Sequence, residues 1–197
     1  AKFRDPSAWY HIVWKCDATN NDVYLYVNGV EVASNTSATD ADSVYFNSDV
    51  NHGIGRDARS GGDNLDGYLA EVHFIDGTAL TPSSFGETGD YGEWKPKEYD
   101  VADGAYGTNG FYMNFSNASD LGEDFSGNNN DYATVSGSAV DTPAQSLDSP
   151  TNNFCTLDPM RTTLCGTGDQ INYGNLELWV NNGGNTIMSA GTFAVTS

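Results

Sequence analysis

Carboxylates, side-chain amides and aromatic rings are the groups in this chain whose types and spacing could do chemistry. In GRDARSGGDNLDG (55–67), Asp57, Asp63 and Asp66 can converge with backbone carbonyls, offering hard oxygen ligands to a hard cation such as calcium. EDFSGNNND (123–131) offers Glu123, Asp124, Asn128, Asn130 and Asp131 for the same purpose. Neither run follows the full EF-hand pattern, and GGDNLD misses the glycine–aspartate spacing of calcium-binding β-roll repeats. The plainer reading is that Asp, Asn and Gly make turns in both places. Tyr24, Tyr26, Tyr68 and Trp94 are candidate platforms for a sugar ring, with Arg56 and Asp57 placed to orient its hydroxyls. Aromatics at strand spacing also serve as core or as subunit interface.

Other chemistries find less support. His11, His52 and His73 have no helical metal-ligand spacing, and no serine or cysteine stands in a nucleophile motif. Cys16, Cys155 and Cys165 are odd in number, with no CxxC and no zinc spacing. They read as buried thiols, with a Cys155–Cys165 hairpin pair as the alternative. The chain carries 27 Asp+Glu against 8 Lys+Arg, a formal net charge of −19. Residues 98–197 hold one base, Arg161, against 12 acids. Such a surface repels phosphate backbones, which excludes nucleic acid as a partner. It suits a saline medium, where screening weakens self-repulsion, and it would also suit bound calcium. No run is long enough to insert in a membrane as a helix, and none reads as a signal peptide.

The elements that must position these groups are strands. WYHIVW (9–14) is bulky on both faces, as expected of an inner strand. In VYLYVNGVEVAS (23–34), Asn28-Gly29 reads as a two-residue hairpin turn, since both residues tolerate positive φ. With Val27 opposite Val30 and Leu25 opposite Val32, the face Val23, Leu25, Val27, Val30, Val32 points inward, and Tyr24, Tyr26 and Glu31 share the other. A short Gly-Ile-Gly strand (53–55) precedes the polar loop, and a further strand alternates from Tyr68 to Ile75. After Asp76-Gly77, Thr81 is placed to cap a helical turn, Pro82 fits its first position and Phe85 folds back as a plug. NGFYMNFS (109–116) reads as one more strand.

LDGYLAEVHFIDGTALTPSSFGE (65–87) resembles the closing strand and helical turn of laminin-G-like domains of the concanavalin A-like lectin/glucanase superfamily. The matching positions are Gly67, Glu71, Val72, Ala79, Leu80, Thr81 and Pro82. WYHIVW, the 23–34 hairpin and GIGRD fit the same family in the same order. The resemblance implies an all-β fold: the C-terminal half of a concanavalin A-like antiparallel β-sandwich (a jelly roll) over residues 1–94. The segment 95–150 is expected as a linker with a strand and polar loops, and 151–197 as the start of a second β-sandwich. The missing initiator methionine and the strand-like end make the chain read as a piece of a longer polypeptide. Glucanases of the superfamily use an E-x-D-x-E strand that sets two carboxylates about 5 Å apart; no such run occurs, and Glu71 stands alone among hydrophobic neighbours.

More narrowly, FYMNFSNASDLGEDFSGNNND (111–131) and SPTNNFCTLDP (149–159) are similar to stretches of long virion proteins of marine bacteriophages, where a SPRY-like sandwich follows. That resemblance implies a non-enzymatic protein on the virion surface: a fibre, spike or decoration that meets host glycan and other virion proteins, assembled as a homo-oligomer, a trimer by analogy. A secreted or cell-surface bacterial adhesin is the alternative, and a polysaccharide hydrolase a third.

Overall fold

The computed structural model describes residue 3, residues 8–37, 47–58, 65, 67–133, 143, 145, 146 and 148–152, and the backbone of 170–172 and 177–179. Within these it is all-β, with antiparallel pairing throughout and two single-turn 3-10 segments. That is the expected class, consistent with a concanavalin A-like β-sandwich. Among the described residues no helix is long and apolar enough to cross a membrane.

Two compact units divide the chain. One comprises Tyr10–Ala144, the other Ala1–Trp9 together with Gln145–Ser197. The boundaries expected from sequence are 94 and 150; the two units divide at residues 9/10 and 144/145. Pairing ties parts of segment 95–150, including the strand expected within it, to residues that precede it. Strand β4 (Val72–Phe74) pairs with β7 (Phe111–Met113), and β5 (Gly86–Thr88) pairs with β6 (Trp94–Pro96). In the C-terminal unit, β8 (Gln170–Asn172) pairs with β9 (Glu177–Trp179), and the Trp9 indole N–H donates to Asp148 Oδ2 at 3.2 Å. Cys155 and Cys165 lie outside the described residues.

The larger unit opens on a three-stranded sheet: β1 (Ile12–Asp17), β2 (Asp22–Val27) and β3 (Val30–Asn35), in that order. The Asn-Gly turn forms as the sequence dictates, with φ of 48° at Asn28 and 76° at Gly29. It is clipped to β1 from both sides. His11 N–H donates to the Asn28 side-chain oxygen, and Asn28 N–H donates to the His11 carbonyl, each at 2.8 Å. Val27 faces Val30 as expected, but a bulge follows: Leu25 pairs with Ala33, and Val32 is the extra residue.

The burial expected of this sheet is met only in part: Val27 is buried and Val23 and Val32 are half-buried, but Leu25 and Val30 are exposed. The register puts Ile12, Trp14, Leu25, Val27 and Val30 on one face. Of these only Val27 is buried; Ile12 is 56% and Val30 62% exposed. The opposite face, with Val13, Lys15, Tyr24 and Tyr26, is the more covered one.

Burial concentrates where the strands are short. Met113 is 1% exposed, and Tyr106 and Phe111 are buried beside it. The strand expected from Tyr68 to Ile75 shrinks to Val72–Phe74, because Glu71 sits at φ 52°, a left-handed conformation that breaks the extended run. The Gly-Ile-Gly strand does not form; residues 54–56 make a bend. After Gly77 (φ 87°), Pro82 opens the 3-10 turn Pro82–Ser84 as expected. Thr81 occupies the cap position, but its hydroxyl pairs with Ser83 Oγ at 2.9 Å in place of a backbone N–H. Phe85 is the plug: its ring lies 5.0 Å from Tyr99, 5.3 Å from His73 and 6.4 Å from His11.

Candidate functional site

Period-two alternation along β2 places Asp22, Tyr24 and Tyr26 on one face, and the β1 register sets Asp17, Lys15 and Val13 beside them. Glu31 lies opposite Tyr26 and Ser34 opposite Tyr24 on β3. The two tyrosine rings are stacked, with centroids 6.2 Å apart and planes at 23°. Lys15 Nζ stands 5.0 Å above the Tyr24 ring, a cation–π contact. The Tyr24 hydroxyl donates to Asp22 Oδ2 at 3.1 Å, and that hydrogen bond raises the Tyr24 phenol above its ordinary pKa. Asp17 is tied to Asn20 by the Asn20 side-chain and backbone N–H groups, at 2.8 and 3.3 Å. The face thus presents two half-exposed rings among polar groups of both signs.

The remaining candidates lie elsewhere in the unit. Arg56 and Asp57 are half-buried in the loop 47–58, and Tyr68 is exposed on a later loop. Trp94 is a packing residue. A Cβ placed on Gly29 or Gly86 would come within 2.3 and 2.6 Å of its ring, so the indole lies between two glycines. Its N–H donates to His11 Nδ1 at 3.0 Å, and the two rings stack with centroids 5.7 Å apart. Hence the sequence-expected set divides: Tyr24 and Tyr26 come together, whereas Trp94 closes the hairpin turn from β6. Lys15 and Asp22 were missed, although pairing β1 antiparallel to β2 puts Lys15 against Tyr24, and Asp22 is two residues away on the same face.

For calcium, Asp57 is described while Asp63 and Asp66 lie outside the described residues. Among the described residues no three His, Cys, Asp or Glu side chains gather as a metal site. In the loop 123–131 the Asp124 carboxylate is engaged by hydrogen bonds from the protein itself. The buried Asp124 carboxylate accepts from Tyr112 N–H, Ser126 N–H, Ser126 Oγ–H and Asn130 N–H, all between 2.8 and 2.9 Å. The Asn128 and Asn130 amides donate to the carbonyls of Gly107, Thr108 and Gly110. Four donors aimed at one carboxylate satisfy it without a cation and leave no lone pair facing outward. Burial alone would raise the Asp124 pKa; the hydrogen bonds from Tyr112, Ser126 and Asn130 outweigh it and hold the carboxyl below its ordinary value.

A second group of titratable residues surrounds His73. Its ring stacks on Tyr112 at 4.3 Å, and its Nδ1 is hydrogen-bonded to the Tyr106 hydroxyl at 2.9 Å. Burial, with a smaller contribution from His11, lowers the His73 pKa to about 4. Tyr112 donates its hydroxyl to Glu71, and burial followed by that contact raises the Tyr112 phenol well above the ordinary range. With a neutral imidazole and neutral phenols at neutral pH, this group packs as an aromatic cluster.

Residues 1–84 match the family described as the concanavalin A-like lectin/glucanases superfamily, in its laminin-G-like form. The match contains β1–β4 and the whole tyrosine face, and it supports a carbohydrate-binding type of module. It covers less than half of the chain. No curated protein and no solved structure is significantly similar to it.

Proposed function

We propose that the chain is a non-enzymatic, carbohydrate-binding part of a virion surface protein, a bacteriophage fibre, spike or decoration that meets host glycan. The observation that carries the binding reading is the stacked Tyr24–Tyr26 pair with Lys15 and Asp22 around it, inside the segment that matches a lectin family. A sugar presents an apolar C–H face and a hydroxyl rim, and this face offers an aromatic surface with polar groups at its edge. The similarity of residues 111–131 and 149–159 to marine phage virion proteins supports the location. The −19 charge supports a saline setting. The absence of an E-x-D-x-E run from the sequence supports binding without hydrolysis.

Assembly as a homo-oligomer, a trimer by analogy with phage fibres, belongs to the same reading, as do contacts with other virion proteins. Calcium at Asp57, Asp63 and Asp66 is its cofactor arm, supported by three hard-oxygen side chains in one glycine-rich loop. Two measurements test the whole. Antibodies against the chain should label intact phage particles by immunogold microscopy, and a glycan array should show binding with and without chelator. Unlabelled particles sink the virion assignment, and a blank array sinks the lectin assignment.

A further inference from the structure

His11 joins two parts of the larger unit through groups that differ in their response to acid. Its backbone clips Asn28 by two hydrogen bonds of 2.8 Å, neither of which involves a titrating atom. Its ring accepts the Trp94 indole N–H at Nδ1, 3.0 Å away. Trp94 in turn covers the turn glycine, since a Cβ added at Gly29 would lie 2.3 Å from its ring. The imidazole is therefore a side-chain link between the β2–β3 turn and strand β6.

An indole N–H only donates, so this link needs an unprotonated Nδ1. Protonation there sets N–H against N–H and removes the bond. The indole has no way to reverse its role, whereas the Tyr106 hydroxyl, 2.9 Å from His73 Nδ1, can turn from donor to acceptor. The hydrogen bond also sets the imidazole at the positive N–H rim of the indole, not over its face. Phe85, at 6.4 Å, lies beyond a useful cation–π distance. The elements packed on the ring bring no carboxylate to it. The Asn28-Gly29 turn and the Pro82–Ser84 segment carry no charged side chain. On β6, Lys95 pairs with Glu93 at 3.9 Å and lies opposite Glu87 of β5, and Lys97 Nζ donates to the Ser83 carbonyl. His73 meets the same Phe85 ring at 5.3 Å, among Tyr99, Tyr106 and Tyr112, with Glu71 held by the Tyr112 hydroxyl. Burial lowers the pKa of His11, and lowers that of His73 further, to about 4. His11 is thus the first of the two to take a proton.

We infer that His11 is an acid-released latch: protonated at Nδ1, it lets go of the Trp94 indole, and the β5–β6 hairpin parts from the β2–β3 turn. The latch is closed above about pH 6.5 and opens as pH falls through the lowered His11 value. The backbone clip at Asn28 does not titrate, so the turn keeps its shape and only the cover over Gly29 is lost. The opening is local and comes before the His73 block is disturbed, because that imidazole stays neutral down to about pH 4. It does not depend on what the tyrosine face binds.

The test is a pH titration of the intact, isotope-labelled chain by heteronuclear NMR, from about pH 7.5 to about 4.5. The Trp94 indole N–H signal should shift with the same midpoint as the His11 ring protons. Its exchange with solvent, corrected for pH, should rise about fivefold to tenfold, the share of one hydrogen bond. The Asn28 amide should stay protected throughout. His11→Gln offers a side-chain oxygen that accepts but does not titrate, and in that variant the Trp94 signal should be flat with pH. A Trp94 signal that ignores the His11 titration overturns the latch, and so does one that still titrates in His11→Gln. Simultaneous loss of protection at Trp94 and Asn28 means that the unit unfolds as a whole, and it overturns the latch as well.

Discussion

The β1–β3 sheet and the block around His73 are built by opposite means. The sheet is regular: six-residue strands, a two-residue turn, a continuous ladder with one bulge. Yet most of its large apolar side chains on one face are open. The block has three-residue strands, a residue at positive φ and a polar loop folded back on it, yet it holds Met113, Tyr106 and Phe111. Backbone regularity and burial are thus separable. A hairpin can satisfy its own hydrogen bonds without a core, whereas an irregular segment is stable only when side chains and buried polar groups hold it.

That contrast predicts an uneven response to mutation. The largest effect should come from Asp124→Ala, which strips four donors of their acceptor inside the block; a loss of roughly 4 kcal/mol is expected from denaturant midpoints. A shift under 1 kcal/mol would mean that water replaces the carboxylate and that the loop is not what holds the block.

Acid should act next. The folded-state pKa of His73 lies near 4, below its ordinary 6.5, so the unfolded chain binds the extra proton between those values. Stability is therefore full above about pH 6.5 and falls by about 2–3 kcal/mol as pH drops toward 4. His11, lowered by burial, adds in the same direction. Asp124, held below its ordinary 3.8, contributes its own loss only at still lower pH. Urea midpoints measured at pH 7 and 4.5 should differ accordingly, and His73→Phe should flatten the difference. An equal slope in the variant would place the titration elsewhere.

Gly29→Val joins the two regions. Positive φ alone costs a β-branched residue roughly 1 kcal/mol. A Cβ here would also meet the Trp94 ring at 2.3 Å, so a total nearer 2 kcal/mol is expected. Trp94→Leu should relieve part of it in a double-mutant cycle, and strict additivity of the two changes would refute the clamp. The smallest effect should be Val30→Thr on the open face, below about 0.5 kcal/mol in thermal melts; a cost above about 1.5 kcal/mol would show that the face is covered in solution.

Much of the local structure was legible because it is set by neighbours in sequence. Asn28-Gly29 dictates the turn, since few other pairs accept two positive φ values, and Pro82 with Phe85 dictates the stopper turn and its plug. The alternation of Tyr24 and Tyr26 with Val23, Leu25 and Val27 determined which of these side chains share a face. Three-dimensional contacts decided the rest. Nothing local to Trp94 says that it packs on a turn 65 residues earlier in the chain, and so its place among the sugar-platform candidates could be judged only once Gly29, Gly86 and His11 were seen around it. Asp124 likewise looks like a metal ligand in isolation; four donors from three residues turned it into a structural acceptor. The bulge at Leu25/Tyr26 and the exposure of Leu25 and Val30 escaped for the same reason: alternation determines that a strand has two faces, but only what packs against them decides how much of each is covered.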